Sequence, residues 1–168
     1  MSAMAWVRVL IGAVWLNGAI EKFLNPDFPQ QLATSLGAGG FISQAPSWFQ
    51  DFMRESVVPN AEVVGQLAPF GELALGLALI LGLLTNPAAV GSIVFSTALL
   101  LSQGGFRLGT GLAEPEFFTV NALVALISLI ILLSPAAKAL SLDAVLARNR
   151  PRLAPLLVNR RARGGRRA

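Results

Sequence analysis

The run Val63–Leu84, "VVGQLAPFGELALGLALILGLL", constrains the fold more than any other feature of the chain. It holds a single charge, Glu72. As a helix rising about 1.5 Å per residue it is long enough to cross the ~30 Å hydrocarbon core of a bilayer. Three further apolar runs are candidate spans: Met4–Leu24, Pro87–Ser102, which is short but wholly apolar, and Phe117–Ser134. None shows the strict alternation of a barrel strand, and only helices or closed barrels satisfy the backbone in lipid. Thr85-Asn86-Pro87 separates the second and third runs, too short a link for anything but an antiparallel helix pair. Asn86 suits the cap there and Pro87 the first helical turn. The sequence therefore predicts an all-α fold, a four-helix transmembrane bundle spanning residues 1–135, followed by a basic tail, 136–168.

Composition agrees with this and narrows the chemistry. Of the 168 residues 54% are hydrophobic and 13% charged. That is half the charge share of an ordinary soluble domain, about 25%. Cys, His and Tyr are absent. No disulfide, thiol nucleophile or Fe–S ligation is expected, and the common haem and zinc ligands and the usual proton shuttle are missing. Neither a metal nor a haem is predicted. Carboxylates, Arg, Lys, amides and hydroxyls must supply any chemistry.

Lys138, Arg148, Arg150, Arg152, Arg160, Arg161, Arg163, Arg166 and Arg167 all lie in the tail, opposed only by Asp143. Positive residues stay cytoplasmic, so both termini are expected on that side of a cell membrane. Asn25–Ala61 and Gly104–Glu116 then face outward. The tail has no aromatic residue, so anionic headgroups fit it better than nucleic acid, for which no role is expected. The first run continues to Leu24 without an A-x-A site and reads as a retained helix rather than a signal peptide.

The long outward segment has structure of its own. "FPQQLATSLGAGG" suits a short helix ended by glycines. "PSWFQDFMRESVVP" sets Trp48, Phe49, Phe52 and Met53 on one helical face and Gln50, Asp51, Arg54 and Glu55 on the other, with Ser47 as cap. This is an amphipathic helix at the membrane surface, read either as a plain cap on the bundle or as a lid over a site.

The first helix ends in "WLNGAIEKFLNP". Asn17 and Glu21 are four apart and share a face, while Lys22 is rotated away. On the second helix Gly65, Ala68, Glu72 and Gly76 make a stripe of small residues around a carboxylate. Glu62 and Gln66 pair near the outer end, and Asn121 lies near the outer end of the fourth helix. Charges in lipid cost at least ~2.5 kcal/mol each, so these groups are expected to turn toward one another. Two readings stay open: interhelical hydrogen bonding that fixes the packing, or the polar end of a pocket for an amphipathic molecule.

The segments "RVLIGAVWLNGAIEKFLNP" and "WFQDFMRESVVPNAEVVGQLAPFGELALGLALILGLLTNPA" resemble the DoxX/DoxD superfamily of small membrane proteins. They look most like the DoxD-like small subunit of thiosulfate:quinone oxidoreductase. Arg8, Gly12, Gly18 and Lys22 carry the likeness in the first helix, and Gly71, Glu72, Gly76, Gly82, Leu83 and Thr85 in and after the second. It covers about Arg8 to Ser134. Asn86 stands where that family often has a basic residue. The resemblance implies a membrane subunit in quinone-linked redox chemistry of sulfur compounds. On that reading quinone is the cofactor, and Glu72 and Glu21 are the catalytic proton carriers. Asn17, Gln66, Asn121 and Trp48 bind the cofactor, and Arg54 and Arg107 hold a substrate anion such as thiosulfate. No residue here can carry electrons, so full turnover requires a partner redox subunit beside the lipid bilayer or direct reaction between bound substrates. An adaptor that anchors soluble redox or stress-response enzymes, and a small-solute carrier, are the alternatives. The oligomeric state is left open.

Overall fold

The computed structural model describes residues 3–37, 42–104 and 120–149. Helices α1 (Ala3–Leu24), α2 (Phe28–Gly37) and α3 (Ser47–Phe52) come first. A π-helical turn, Met53–Val57, and a short 3-10 turn, Val58–Asn60, lead from α3 into α4 (Ala61–Leu81). Then follow α5 (Thr85–Ser102), α6 (Val120–Leu133), a 3-10 turn at Pro135–Lys138, and α7 (Leu142–Asn149). There is no strand among the described residues, and the chain is an all-α membrane protein. Three helical stretches are long and apolar enough to cross a bilayer: Ala3–Leu24, Ser47–Leu81 and Thr85–Ser102. Of the fourth expected span, the described part is the shorter apolar helix Val120–Leu133. Ser47 is the first helical residue of α3 rather than its cap, the residue before it being Pro46.

The α1–α4 pair is the most extensive helix contact. Glycines make it possible. A Cβ on Gly12 would sit 2.8 Å from the Ile80 amide nitrogen and 2.9 Å from the Gly76 carbonyl oxygen. A Cβ on Gly76 would sit 2.9 Å from the Leu16 nitrogen. These neighbours are backbone and cannot swing aside, so the two helices touch main chain to main chain. Gly76→Val should therefore lower stability by about 1–3 kcal/mol, the usual cost of overpacking. A melting point in detergent equal to wild type would show that the helices can part freely.

Small hydroxyls tie α5 and α6 to α1 in the interior. The Trp15 indole donates to Ser92 Oγ at 2.7 Å, and Ser92 Oγ lies 2.7 Å from Ser128 Oγ. All three residues are buried. Trp15 also meets Phe95 edge to face, centroids 5.3 Å apart.

At the Arg8 end of the bundle, residues 137–143 close the fold. Ala137, Lys138 and Asp143 are at most 1% exposed, so packing continues beyond Pro135 into the start of the basic tail. The reason is helix capping. Asp143 Oδ1 accepts from the Leu84 amide at 2.9 Å and Oδ2 from the Thr85 amide at 2.7 Å, placing a carboxylate on the N-terminus of α5. Asp143, rather than Asn86, accepts from these first amides of α5. The Lys138 ammonium donates to the carbonyls of Ile131 (3.3 Å) and Leu132 (2.6 Å) at the end of α6. Burial pushes Lys138 below the ordinary lysine value, and the charge of Asp143 offsets part of that. Arg8 Nη2 donates to the Leu140 carbonyl at 3.3 Å. Gly82 ends α4 with φ +64°, the left-handed conformation that favours glycine, and any side chain there would strike Arg8 and Ser141.

Candidate functional site

The other end of the bundle holds a cavity of about 270 Å³. Its floor comes from α4 (Val64, Ala68, Glu72) and α5 (Phe95, Ala98, Leu99, Ser102). Phe28, Leu32 and Leu36 of α2 form one wall. Phe49 and Phe52 of α3, with Met53 and Val57 of the π-helical turn, form the roof. The amphipathic segment thus lies over a cavity. It folds down because Leu36, Ile42, Ala45, Phe49, Met53 and Ala61 share one buried apolar cluster, with Ala98 and Leu101 of α5 packed against it. The π turn adds a residue to the helical repeat, and both Met53 and Val57 reach the cavity.

The cavity wall carries one ion pair. Lys22 Nζ lies 2.9 Å from Glu72 Oε2. The Glu72 side chain is only 4% exposed and that of Lys22 24%, so the carboxylate is the interior partner. Lys22 also donates to the Gly18 carbonyl at 3.3 Å and stands 5.4 Å from the centre of the Phe28 ring. These contacts fix the ammonium at the cavity edge. Gly18 makes room for the carboxylate: a Cβ there would lie 3.0 Å from Glu72 Oε2. Pro69, one turn before Glu72, is buried in α4 as well. Apart from Lys22, Glu72 and Ser102 the lining is apolar, and the Ser102 hydroxyl donates to the Ala98 carbonyl at 2.9 Å. In so apolar a setting a charge pair is worth more than in water, and the oxygen left over on Glu72 can still accept a proton or a hydrogen bond.

Of the described residues expected to carry chemistry or to bind a ligand, Glu72 alone lines this cavity, beneath Phe49, Phe52 and Met53 of the expected amphipathic segment. Asn17 and Glu21 do not face it. They lie on the exposed side of α1, where Asn17 Nδ2 donates to Glu21 Oε1 at 2.7 Å. The turn of the helix that sends Lys22 inward sends both of them outward. Gln66 is on the exposed face of α4. Asn121 donates to Gln103 at 3.3 Å, on an exposed surface. Trp48 is 62% exposed on the outer side of the roof, edge-on to Phe49, which is the ring turned inward. Arg54 is exposed and bonds to Gln50 at 3.1 Å. Arg107 lies outside the described residues. Lys22, which the sequence leaves either to balance a carboxylate or to meet headgroups, is the partner of Glu72; Phe28, Leu32 and Phe95 were not expected as lining. One signal was available for the first: Gly18, one turn before Lys22, is the kind of gap an interhelical carboxylate fills.

Residues 4–155 match the family described as "TQO small subunit DoxD". The chain is also 31% identical over 135 residues to the uncharacterized membrane protein Rv3486 of Mycobacterium tuberculosis (strain ATCC 25618 / H37Rv), covering 74% of this chain and 71% of that one. No solved structure matches it.

Proposed function

The chain belongs to the family of the TQO small subunit DoxD, and from that premise we propose that it is the membrane subunit of a thiosulfate:quinone oxidoreductase whose quinone-binding element is the Lys22–Glu72 cavity. The observation that carries the reading is a single ion pair on the wall of an otherwise apolar, aromatic-rimmed cavity. The donor set suits a quinone head. At about 270 Å³ the cavity is just below the usual ligand-pocket range of ~300–1,000 Å³, which suits a ring-sized group whose tail extends into lipid. A quinone supplies a two-electron, two-proton couple. The Lys22 ammonium donates a hydrogen bond to a carbonyl oxygen, and Glu72 holds or releases a proton beside it. Phe28, Phe49, Phe52 and Phe95 exclude water and offer ring edges and faces to a flat ligand. Electrons enter from a partner subunit, because no side chain here carries them. The sulfur-compound substrate is consumed on that partner or at its junction with the roof.

Glu72→Gln separates proton chemistry from packing. It keeps a hydrogen-bond acceptor toward Lys22, so the melting point should stay near wild type. Quinone-dependent turnover of the protein with its co-purified partner should fall by about 10²-fold or more, the usual scale of an acid–base group. In a Trp6→Phe, Trp48→Phe background, a short-chain quinone should quench the emission of Trp15, which adjoins the cavity-lining Phe95, and Ala98→Phe should block that quenching by filling the cavity. Wild-type turnover in Glu72→Gln would remove the carboxylate from the mechanism. Quenching unaffected by Ala98→Phe would place the quinone elsewhere.

A further inference from the structure

Helix α1 has two faces. Arg8, Ile11, Gly12, Trp15 and Ala19 are buried against the rest of the bundle. On the opposite side Trp6, Leu10, Ala13, Asn17, Ile20 and Leu24 are exposed. Along the chain these positions alternate between separations of four and three residues, beginning and ending on four. That is the 3.5-residue spacing of a coiled-coil seam, with Asn17 on one of its a-type positions. Apolar residues facing lipid need no partner. An amide does. Asn17 lies seven residues before the end of α1, about 10 Å along the axis and so within the hydrocarbon. Its hydrogen bond to Glu21 uses one amide hydrogen. Among the described residues nothing serves its carbonyl oxygen or its second hydrogen.

We propose that this face is an interface between two copies of this chain, α1 against α1 in a parallel pair about a two-fold axis along the membrane normal. The occupant follows from the chemistry of the seam. A two-fold axis sets each seam residue opposite its own copy. An amide both donates and accepts, so Asn17 completes its hydrogen bonds against the Asn17 of a second copy. A single buried Asn of this kind fixes register and pairing. Both copies insert with the same orientation, so the parallel arrangement needs no further device. Ala13, one turn below, lets the backbones approach. Glu21 flanks the seam, and the two copies of it lie on opposite sides, each in reach of the other copy's Asn17. A helix of another protein would need a matching polar group at the same depth, which a second copy carries by construction.

The chain has no cysteine, so single cysteines report the interface cleanly. Full-length Ala13→Cys and Ile20→Cys, in vesicles at high lipid-to-protein ratio, should form disulfide-linked dimers on oxidation. Val94→Cys, on the exposed side of α5, should not. Asn17→Leu in the Ala13→Cys background should lower dimer formation about tenfold, the scale of one or two interhelical hydrogen bonds. Asn17→Gln should restore much of it. Circular dichroism and melting of Asn17→Leu should match the parent, since among the described residues the Asn17 side chain hydrogen-bonds only to Glu21 of its own helix. Equal cross-linking at all three cysteines would mean random collision. Absence of cross-linking at Ala13 and Ile20 would leave the face to lipid or to another protein's helix. Cross-linking indifferent to Asn17→Leu would take the amide out of the interface. Each of these three results overturns the proposal.

Discussion

Asp143→Ala is expected to be the most damaging single substitution outside the cavity, costing about 3–5 kcal/mol in denaturant unfolding in detergent. It removes the carboxylate that holds the Leu84 and Thr85 amides at the start of α5. It also leaves Arg8 and Lys138, 2% and 1% exposed, with no anion between them. Leu84 adds to the cost, because it is held at φ +52° without being glycine. Asp143→Asn, which keeps the shape and one acceptor, should cost less. A pH signature separates the loss of charge from the loss of shape. Burial already places Lys138 below the ordinary lysine value, and Asp143 works against that shift. Without Asp143 the folded value falls further while the unfolded value is unchanged. The unfolded chain then binds more protons than the folded one between the two values, so stability rises with pH across that window. Asp143→Ala should accordingly regain part of its lost stability as the solution is made alkaline, reaching its best near the ordinary lysine value. A deficit independent of pH would mean that Lys138 plays no electrostatic part in the closure.

The second large effect is expected at the ion pair. Lys22→Met leaves Glu72 buried in an apolar wall without its cation, and Glu72→Leu leaves Lys22 without its anion. Each should cost about 3 kcal/mol, the first more than the second, because Lys22 is the more exposed partner and can turn toward headgroups. The double variant should regain most of the loss, since a hydrophobic pair of similar volume replaces a buried ion pair at little cost. Stability measured on all four proteins gives the coupling directly. Quinone binding should be lost in all three variants. A double variant that is as stable as wild type yet fails to bind quinone would assign the pair to function rather than to the fold. Recovery of binding along with stability would make it a packing device.

Gly82 shows how closely the Arg8 end of the bundle depends on sequence-distant partners. Its left-handed φ ends α4, which a glycine after a long apolar run already suggests. That Arg8 from α1 and Ser141 from beyond α6 crowd its Cα is a tertiary fact. Similarly, "TNP" marks a helix–helix link, but the capping carboxylate arrives from Asp143, fifty-eight residues after Thr85.

The sequence by itself determined the solvent, the helical class, the apolar runs and the amphipathic character of Ser47–Val57. Each of these rests on local composition and period, and each concerns one segment at a time. The family likeness came from the same local patterns around Gly12, Gly18, Glu72 and Gly76. What only the tertiary structure decided is which way the polar residues of α1 turn. Asn17 and Lys22 are five residues apart, so a helix cannot point both at Glu72. In water an apolar stripe would have named the inner face. In lipid both faces of α1 are apolar, Ile11 and Trp15 inside, Leu10 and Ile20 outside, and amphipathicity carries no such signal. The choice was made by size: Gly12 and Gly18 fit against α4, and the helix rotates to bring them there. That rotation carries Lys22 onto Glu72 and leaves Asn17 and Glu21 on the outer face.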